Sequence, residues 1–123
     1  MQLARLQHTQ ALVPSHSTIA DPAEHAYFVQ KYQQIWKLPP SVAHFAGPSP
    51  VSLERAHLPR LADEACVCAL KTDGVRYLLL LTTAPDGACV ALMIDRAMKM
   101  YEIEVCAHAK YFQDGTLLDG ELV

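Results

Sequence analysis

The sequence predicts an α+β fold, an antiparallel β meander with helices on its N-terminal side. An apolar stripe at helical spacing runs over residues 22–36 and ends before Pro39 and Pro40. A series of short apolar runs then follows between residues 65 and 123, separated by turn residues such as Asp86-Gly87. Helices followed by consecutive strands, without βαβ alternation, are typical of α+β proteins.

The helical signals lie in the first half of the chain. Residues 1–21 form an irregular segment in which a short helix is expected only at residues 2–12. Asp21 and Pro22 have the pattern of an N-cap and a first helical residue, so the main helix is predicted over residues 22–36. Its aromatic stripe is interpreted as core rather than as a base-stacking surface, because the spacing is helical.

A connector and a second helix come next. Residues 37–50 are rich in proline and predict an extended connector, not a linker between domains. Residues 52–63 predict a short helix that Pro59 confines or kinks.

The strands are predicted from apolar runs and turn residues. Five are expected: Ala65–Leu70, Val75–Thr82, Ala88–Asp95, Lys99–Val105 and Thr116–Val123. The first is wholly apolar, which favours burial on both faces, whereas Lys99–Val105 alternates as a half-exposed strand does. The connector 107–114 has room for one helical turn.

Composition limits the class of protein. The chain has 123 residues, 51% of them hydrophobic, which suits one packed domain or part of one. Its net charge of −3, from 10 basic and 13 acidic residues, shows no basic surplus, so any RNA contact must come from a local patch or from segments outside this sequence. No apolar window is long enough to span a membrane, and the first residues lack a secretory apolar core.

The cysteines and histidines show no metal-site spacing. All four cysteines fall in apolar runs, so we expect buried free thiols in a reducing compartment: Cys66, Cys68, Cys89 and Cys106. A zinc pair at Cys66 and Cys68 is the alternative, but no second pair has the required spacing. The six histidines are interpreted as surface or loop residues.

The charged stretch Lys71-Thr72-Asp73-Gly74-Val75-Arg76 separates two apolar runs. A charge at the end of a buried strand is costly unless it is paired or serves a function. Gly74 permits a tight turn at this point of the chain. We therefore expect strand, turn and strand, with Lys71 at the rim of a sheet and partly desolvated, as a reactive amine requires. Its four defining residues would occur together about once in a thousand such chains, and the alternative is a charged hairpin turn.

This stretch resembles motif I, KxDGxR, of the covalent nucleotidyltransferases, the superfamily of mRNA capping enzymes and polynucleotide ligases. Three further elements match in the right order. Residues 45–53 (FAGPSPVSL) resemble the FPGxxPVS element that precedes motif I. Residues 93–96 (MIDR) resemble the strand end found between motifs I and III. Residues 116–123 (TLLDGELV) resemble motif III. The elements at 45–53 and 93–96 favour a capping guanylyltransferase over a ligase. The resemblance covers residues 45–123 and implies part of an ATP-grasp-like ligase/capping domain.

The resemblance implies a covalent mechanism. Unprotonated Lys71 attacks the α-phosphorus of GTP, pyrophosphate leaves, and GMP passes from lysine to the 5′-diphosphate end of RNA, with Mg²⁺ or Mn²⁺ offsetting phosphate charge. Free lysine titrates near pH 10.4, so lowering its pKa by about three units needs cations or desolvation, worth about 4 kcal/mol. The implied GTP-binding residues are Arg76, Glu121, Thr72 and Ser52, with Glu121 also near the metal.

Each implied role has a structural alternative. Arg76 is otherwise a surface arginine paired with Asp73 or Glu121, and Glu121 a strand-end carboxylate. Ser52 is equally well a helix cap. Asp73 and Gly74 are supporting residues, with Asp73 expected to bond turn amides. Asp95 and Arg96 are expected to stabilise a hairpin rather than touch substrate.

Departures from the family pattern leave alternatives open. Ala46 and Ser49 replace the usual proline and glutamine, and the family's later motifs and OB domain are not in the chain. We therefore expect little or no turnover from these 123 residues alone. The alternatives are an ATP-dependent ligase adenylation domain and a non-catalytic remnant that acts as a binding module. The resemblance implies a nucleus and RNA polymerase II for a cellular protein, or cytoplasm or virion and a viral polymerase for a viral one, with no membrane partner.

Overall fold

The structure, a computed structural model, describes residues 16–123, so the helix predicted at residues 2–12 lies outside the described residues. The described part is α+β, as predicted. Its elements are β1 (Ser17–Thr18), α1 (Pro22–Trp36), a 3₁₀ turn (Arg55–His57), α2 (Leu58–Asp63), β2 (Val75–Thr83), β3 (Cys89–Ile94), β4 (Met100–Ile103), α3 (Ala109–Gln113) and β5 (Thr116–Leu122).

The strands form one five-stranded antiparallel sheet in the order β1-β4-β3-β2-β5. Strands β2, β3 and β4 make the predicted meander. The last strand does not continue beside β4, whose outer edge pairs with β1; it returns across the sheet and pairs with β2. This return places the C-terminal strand directly beside the beginning of β2.

Helix α1 covers one face of the sheet. The Asp21 carboxylate accepts the Glu24 N–H at 2.8 Å, which is the predicted N-cap, and Lys37 ends the helix in the left-handed region. Phe28 and Tyr32 are buried against alternate residues of the central strands: Leu78, Leu80, Leu92, Ile94 and Met100. The aromatic stripe is therefore core, as predicted.

The opposite face of the sheet is less covered. Tyr77, Met93 and Tyr101 form one small apolar cluster there, and α3 contributes Phe112 to another. A cavity of about 390 Å³ opens on this face. None of the helices among residues 16–123 is long and apolar enough to cross a membrane.

Asp95 closes the β3–β4 turn. Its carboxylate accepts the N–H groups of Ala97 and Lys99 and the hydroxyl of Tyr101, at 2.8, 2.9 and 3.0 Å. Burial, followed by this hydrogen bond and the charge of Asp95, raises the pKa of Tyr101 to about 12. The structural role predicted for Asp95 is confirmed.

Four sequence predictions need correction. Residues 17–18 are a short strand rather than irregular, because they pair with β4. Strand β4 is not half-exposed at its start, since Met100 packs beneath α1 while Tyr101 packs on the other face. Residues 65–70 are exposed and form no strand, because no described segment pairs with them. All four cysteines are exposed, two of them in that segment.

Candidate active site

Arg76 lies near the beginning of β2 and forms an ion pair with Asp119 of β5. The Arg76 Nε donates to one carboxylate oxygen at 2.8 Å and Nη2 donates to the other at 2.5 Å. The Arg76 side chain is 17% exposed and that of Asp119 is 32% exposed. Two parallel hydrogen bonds of this kind fix the plane of the guanidinium as well as its position.

The connector before α2 completes the surroundings of Arg76. The Pro48 carbonyl accepts a hydrogen bond from Nη2 at 2.8 Å, and the Phe45 ring lies 5.3 Å from the guanidinium carbon. Gly47 leaves the space that the guanidinium occupies, since a Cβ there would lie 2.5 Å from Nη2. Residues from three distant parts of the chain therefore meet at one arginine.

Helix α1 holds the connector in place. The Tyr32 hydroxyl accepts the Ala46 N–H at 2.6 Å and donates to the His44 carbonyl at 3.2 Å. The Gln33 amide donates to the Val42 carbonyl at 2.6 Å. The buried side of α1 thus sets the position of the connector from which Arg76 is contacted.

The register of β2 against β5 explains which acid meets Arg76. Arg76 lies opposite Glu121 and Leu78 opposite Asp119. Because side chains alternate along a strand, Asp119 and Glu121 share the face of the sheet on which Arg76 lies. Asp119 is the diagonal neighbour, within reach of a long arginine side chain.

Charge and hydrogen bonding reinforce this pair. The hydrogen bond to Asp119 raises the pKa of Arg76, burial opposes it, and the charges of Asp119 and Glu121 add to the rise. Hydrogen bonding from Arg76 likewise lowers the pKa of Asp119, against a smaller effect of burial. Asp119 is therefore an anion and Arg76 a cation over the whole physiological range.

Lys71 and Thr72 are not part of this cluster. Both are exposed and precede β2, whose first residue is Val75. The expectation of a partly desolvated Lys71 at a sheet rim is not met in the described structure, because the preceding segment 65–70 has no strand to pair with. Lys71 does not line the cavity on the sheet face opposite α1.

The supporting residues also differ from expectation. Asp73 is exposed and its carboxylate has no hydrogen-bond partner among residues 16–123, so the expected bonds to turn amides are not formed. Ser52 is exposed, and Glu54 with His57 caps the 3₁₀ turn instead. Gly74 is needed where the chain enters β2, since a Cβ there would clash with the Leu122 carbonyl.

Asp119 is the residue of the candidate site that sequence reasoning missed. The pattern nevertheless contains its signal, because residues 119 and 121 of one strand must share a face. The partners considered for Arg76 were Asp73 and Glu121. The choice of Asp119 depends on which strand lies beside β2 and in which register.

The described residues contain no preformed cluster of three or more metal-ligating side chains. Glu121 is exposed and makes no ion pair within residues 16–123, whereas Asp119 is occupied by Arg76. One free carboxylate suits a divalent cation that keeps most of its water ligands.

Comparison with known proteins gives a family match over most of the chain. The model of the family described as "mRNA capping enzyme, catalytic domain" matches residues 10–123. This range includes the connector at Phe45–Pro48, Arg76 and Asp119.

Three curated relatives are each named mRNA-capping enzyme subunit alpha. The Neurospora crassa protein is 37% identical over 86 residues, which cover 64% of this chain and 21% of the relative. The Schizosaccharomyces pombe protein is 34% identical over 88 residues, which cover 64% of this chain and 22% of the relative. The Saccharomyces cerevisiae protein is 36% identical over 93 residues, which cover 64% of this chain and 20% of the relative. The chain thus spans about a fifth of the length of the curated relatives it matches.

Proposed function

This chain belongs to the mRNA capping enzyme catalytic-domain family, and we propose that it carries the N-terminal half of the nucleotidyltransferase domain of an mRNA guanylyltransferase. In the reaction, the Lys71 amine attacks the α-phosphorus of GTP. A phosphorus–nitrogen bond forms, the bond to the bridging oxygen breaks, pyrophosphate leaves, and lysine gives up a proton. A terminal oxygen of the RNA 5′-diphosphate then displaces lysine and accepts GMP.

One observation carries this proposal. Three of the sequence elements that resemble capping enzymes converge on Arg76: its own motif, the connector at Pro48, and Asp119 of the DGE strand. Chance resemblances scattered along a chain have no reason to meet at one side chain. The convergence supports a common nucleotide site on the face of β2 and β5 that bears Arg76 and Asp119.

The roles follow from the chemistry of each group. Arg76 supplies a fixed cation beside the nucleotide, and exposed Glu121 supplies a free carboxylate for a ribose hydroxyl or for a hydrated metal ion. Thr72 and Ser52 complete the GTP-binding set as assigned by resemblance. A divalent cation, Mg²⁺ or Mn²⁺, neutralises phosphate charge when it is bound.

A covalent labelling experiment tests the proposal. The natural protein that contains this segment is incubated with α-³²P-GTP and Mg²⁺ and then denatured. We expect a labelled band that is stable in alkali and lost in acid, as a phosphoramidate is, and absent from Lys71→Ala. Lys110→Arg, at an exposed lysine outside the motif, is the matched control and should label normally.

The nucleotide used distinguishes the alternatives. Labelling by ATP and not by GTP would favour a ligase adenylation domain and sink the guanylyltransferase proposal. Transfer of label to 5′-diphosphate RNA, and not to 5′-monophosphate RNA, would support capping.

A second candidate function rests on the exposure of Lys71. Because the described structure encloses neither Lys71 nor Thr72, a non-catalytic module that binds a partner is the competing proposal. This competing proposal predicts that no longer natural protein containing this segment forms a GMP adduct. An adduct on Lys71 would eliminate it.

The partners that we propose depend on whether the protein is cellular or viral. A cellular form would act in the nucleus beside RNA polymerase II, and a viral form in cytoplasm or virion beside a viral polymerase. Co-purification of the polymerase with the wild-type protein, in low salt, checks this part separately.

A further inference from the structure

The guanidinium of Arg76 is held on one side and open on the other. Its Nε and Nη2 groups are used by Asp119 and by the Pro48 carbonyl. Its Nη1 group, which carries two N–H donors, makes no hydrogen bond to any residue in the range 16–123. The side-on pairing therefore leaves a defined pair of donors available to a ligand.

Three neighbours restrict the guanidinium to this orientation. Asp119 fixes its plane through two hydrogen bonds, and the Phe45 ring lies 5.3 Å from its carbon. Gly47 provides the space for Nη2, because a Cβ would lie 2.5 Å from it and 3.5 Å from the Asp119 carboxylate. An arginine without these neighbours would sample many rotamers and would lose that freedom on binding.

We propose that Asp119, together with Gly47 and the Pro48 carbonyl, is a positioning device that aims Nη1 of Arg76 at an oxygen acceptor of the nucleotide. Asp119 acts through Arg76 and does not touch the substrate. The inference rests on the proposed function, since the ligand is the guanine nucleotide of that reaction. It assigns separate tasks to the two acids of β5: Asp119 orients the arginine, and Glu121 stays free.

The main test is a set of KM and kcat measurements for transfer of GMP from GTP to 5′-diphosphate RNA by the natural protein that contains this segment. We expect Asp119→Asn to raise the KM for GTP about tenfold, with a smaller change in kcat, because ground-state binding is weakened. In an Arg76→Ala background the same change should have no further effect on KM, since the group it orients is gone. Asp114→Asn, an exposed carboxylate without side-chain hydrogen bonds, is the matched control.

Gly47→Ala tests the geometry without removing a charge. The added methyl group must displace Nη2, so we expect a KM increase similar to that of Asp119→Asn and again no effect in the Arg76→Ala background. This variant also keeps the inference testable if Asp119→Asn folds poorly.

Two kinetic outcomes overturn the inference. One is an unchanged KM for GTP in folded Asp119→Asn and Gly47→Ala proteins. The other is an equal loss in the presence and absence of Arg76, which a purely structural role would produce.

A spectroscopic measurement separates this inference from the proposed function. In ¹⁵N NMR spectra the Arg76 Nε–H signal should exchange slowly with water in the wild-type chain and rapidly in Asp119→Asn. If the wild-type protein forms no GMP adduct, the proposed function fails, while a slowly exchanging signal still supports positioning. Fast exchange in the wild-type chain rejects positioning whether or not an adduct forms.

Discussion

Two apolar runs flank the motif at Lys71–Arg76; the run after the motif is largely buried and the run before it is exposed. In Tyr77–Leu81, Leu78 and Leu80 are completely buried. In Ala65–Leu70, Val67 is 96% exposed and Leu70 is 97% exposed. Every residue in both runs is apolar, but the runs differ in neighbours, because β2 pairs with β3 on one edge and with β5 on the other.

An apolar run is buried only where its backbone hydrogen-bonding groups also find partners. Each peptide N–H and C=O that leaves water must find a partner, and strand β2 finds them on both edges. Residues 65–70 have no such partners among residues 16–123, so they keep their backbone groups in water. Lys71 directly follows the unpaired run, whereas Arg76 lies within the paired strand β2.

Hydrogen exchange should show the largest difference between the two runs. Amides of residues 78–81 are expected to be protected at least about 10³-fold more than those of residues 65–70, which exchange near random-coil rates. The measurement is exchange mass spectrometry or NMR on the 123-residue chain. Comparable protection of both runs would mean that the first run is paired in solution, and the comparison would fail.

Matched leucine truncations should show the next largest effect. Leu80→Ala is expected to lower the free energy of unfolding by about 2–5 kcal/mol, because it opens a cavity beneath α1. Leu70→Ala, at a 97% exposed side chain, should change it by less than about 0.5 kcal/mol. Urea unfolding followed by circular dichroism measures both; similar losses would show that Leu70 is buried.

Tyr101 adds an alkaline pH dependence to the packed region. Its pKa is about 12 in the folded chain and about 10 unfolded, so the unfolded state loses its proton first as pH rises. The stabilising contribution is complete below about pH 10 and falls by up to about 1.4 kcal/mol per pH unit until about pH 12.

Tyr101→Phe should therefore be less stable than wild type at pH 8, and the deficit should shrink between pH 10 and 12. Urea unfolding at several pH values measures it. Tyr111→Phe, at a 53% exposed side chain, is the control and should show no such trend. A deficit that stays constant with pH would contradict the assignment.

Asp119→Asn should lower stability least among the variants at buried or paired side chains. The ion pair is partly exposed, so we expect a loss of about 1 kcal/mol at neutral pH. Because Arg76 lowers the pKa of Asp119, the contribution is present above the ordinary aspartate pKa of about 4 and is lost as pH falls through the lower folded value. Unfolding midpoints of wild type and variant should converge in acid, and a gap that persists at pH 2 would speak against this pair.

Local rules accounted for much of the fold. The helix from Pro22 to Trp36, its Asp21 cap and the β2–β3–β4 meander all follow from periodicity, capping and turn chemistry, which act over a few residues. The role of Asp95 follows in the same way. The mispredicted burial of residues 65–70, which include Cys66 and Cys68, has one cause, namely that burial depends on partners distant in sequence.

By itself the sequence determined which residue types are present at the candidate site, and it ordered them along the chain as in capping enzymes. Only the tertiary structure decided that β5 crosses back to pair with β2, and that Asp119 rather than Asp73 or Glu121 meets Arg76. The physical reason is that strand pairing and register are set by the summed packing of both sheet faces and by which edges remain free. No short motif contains that information.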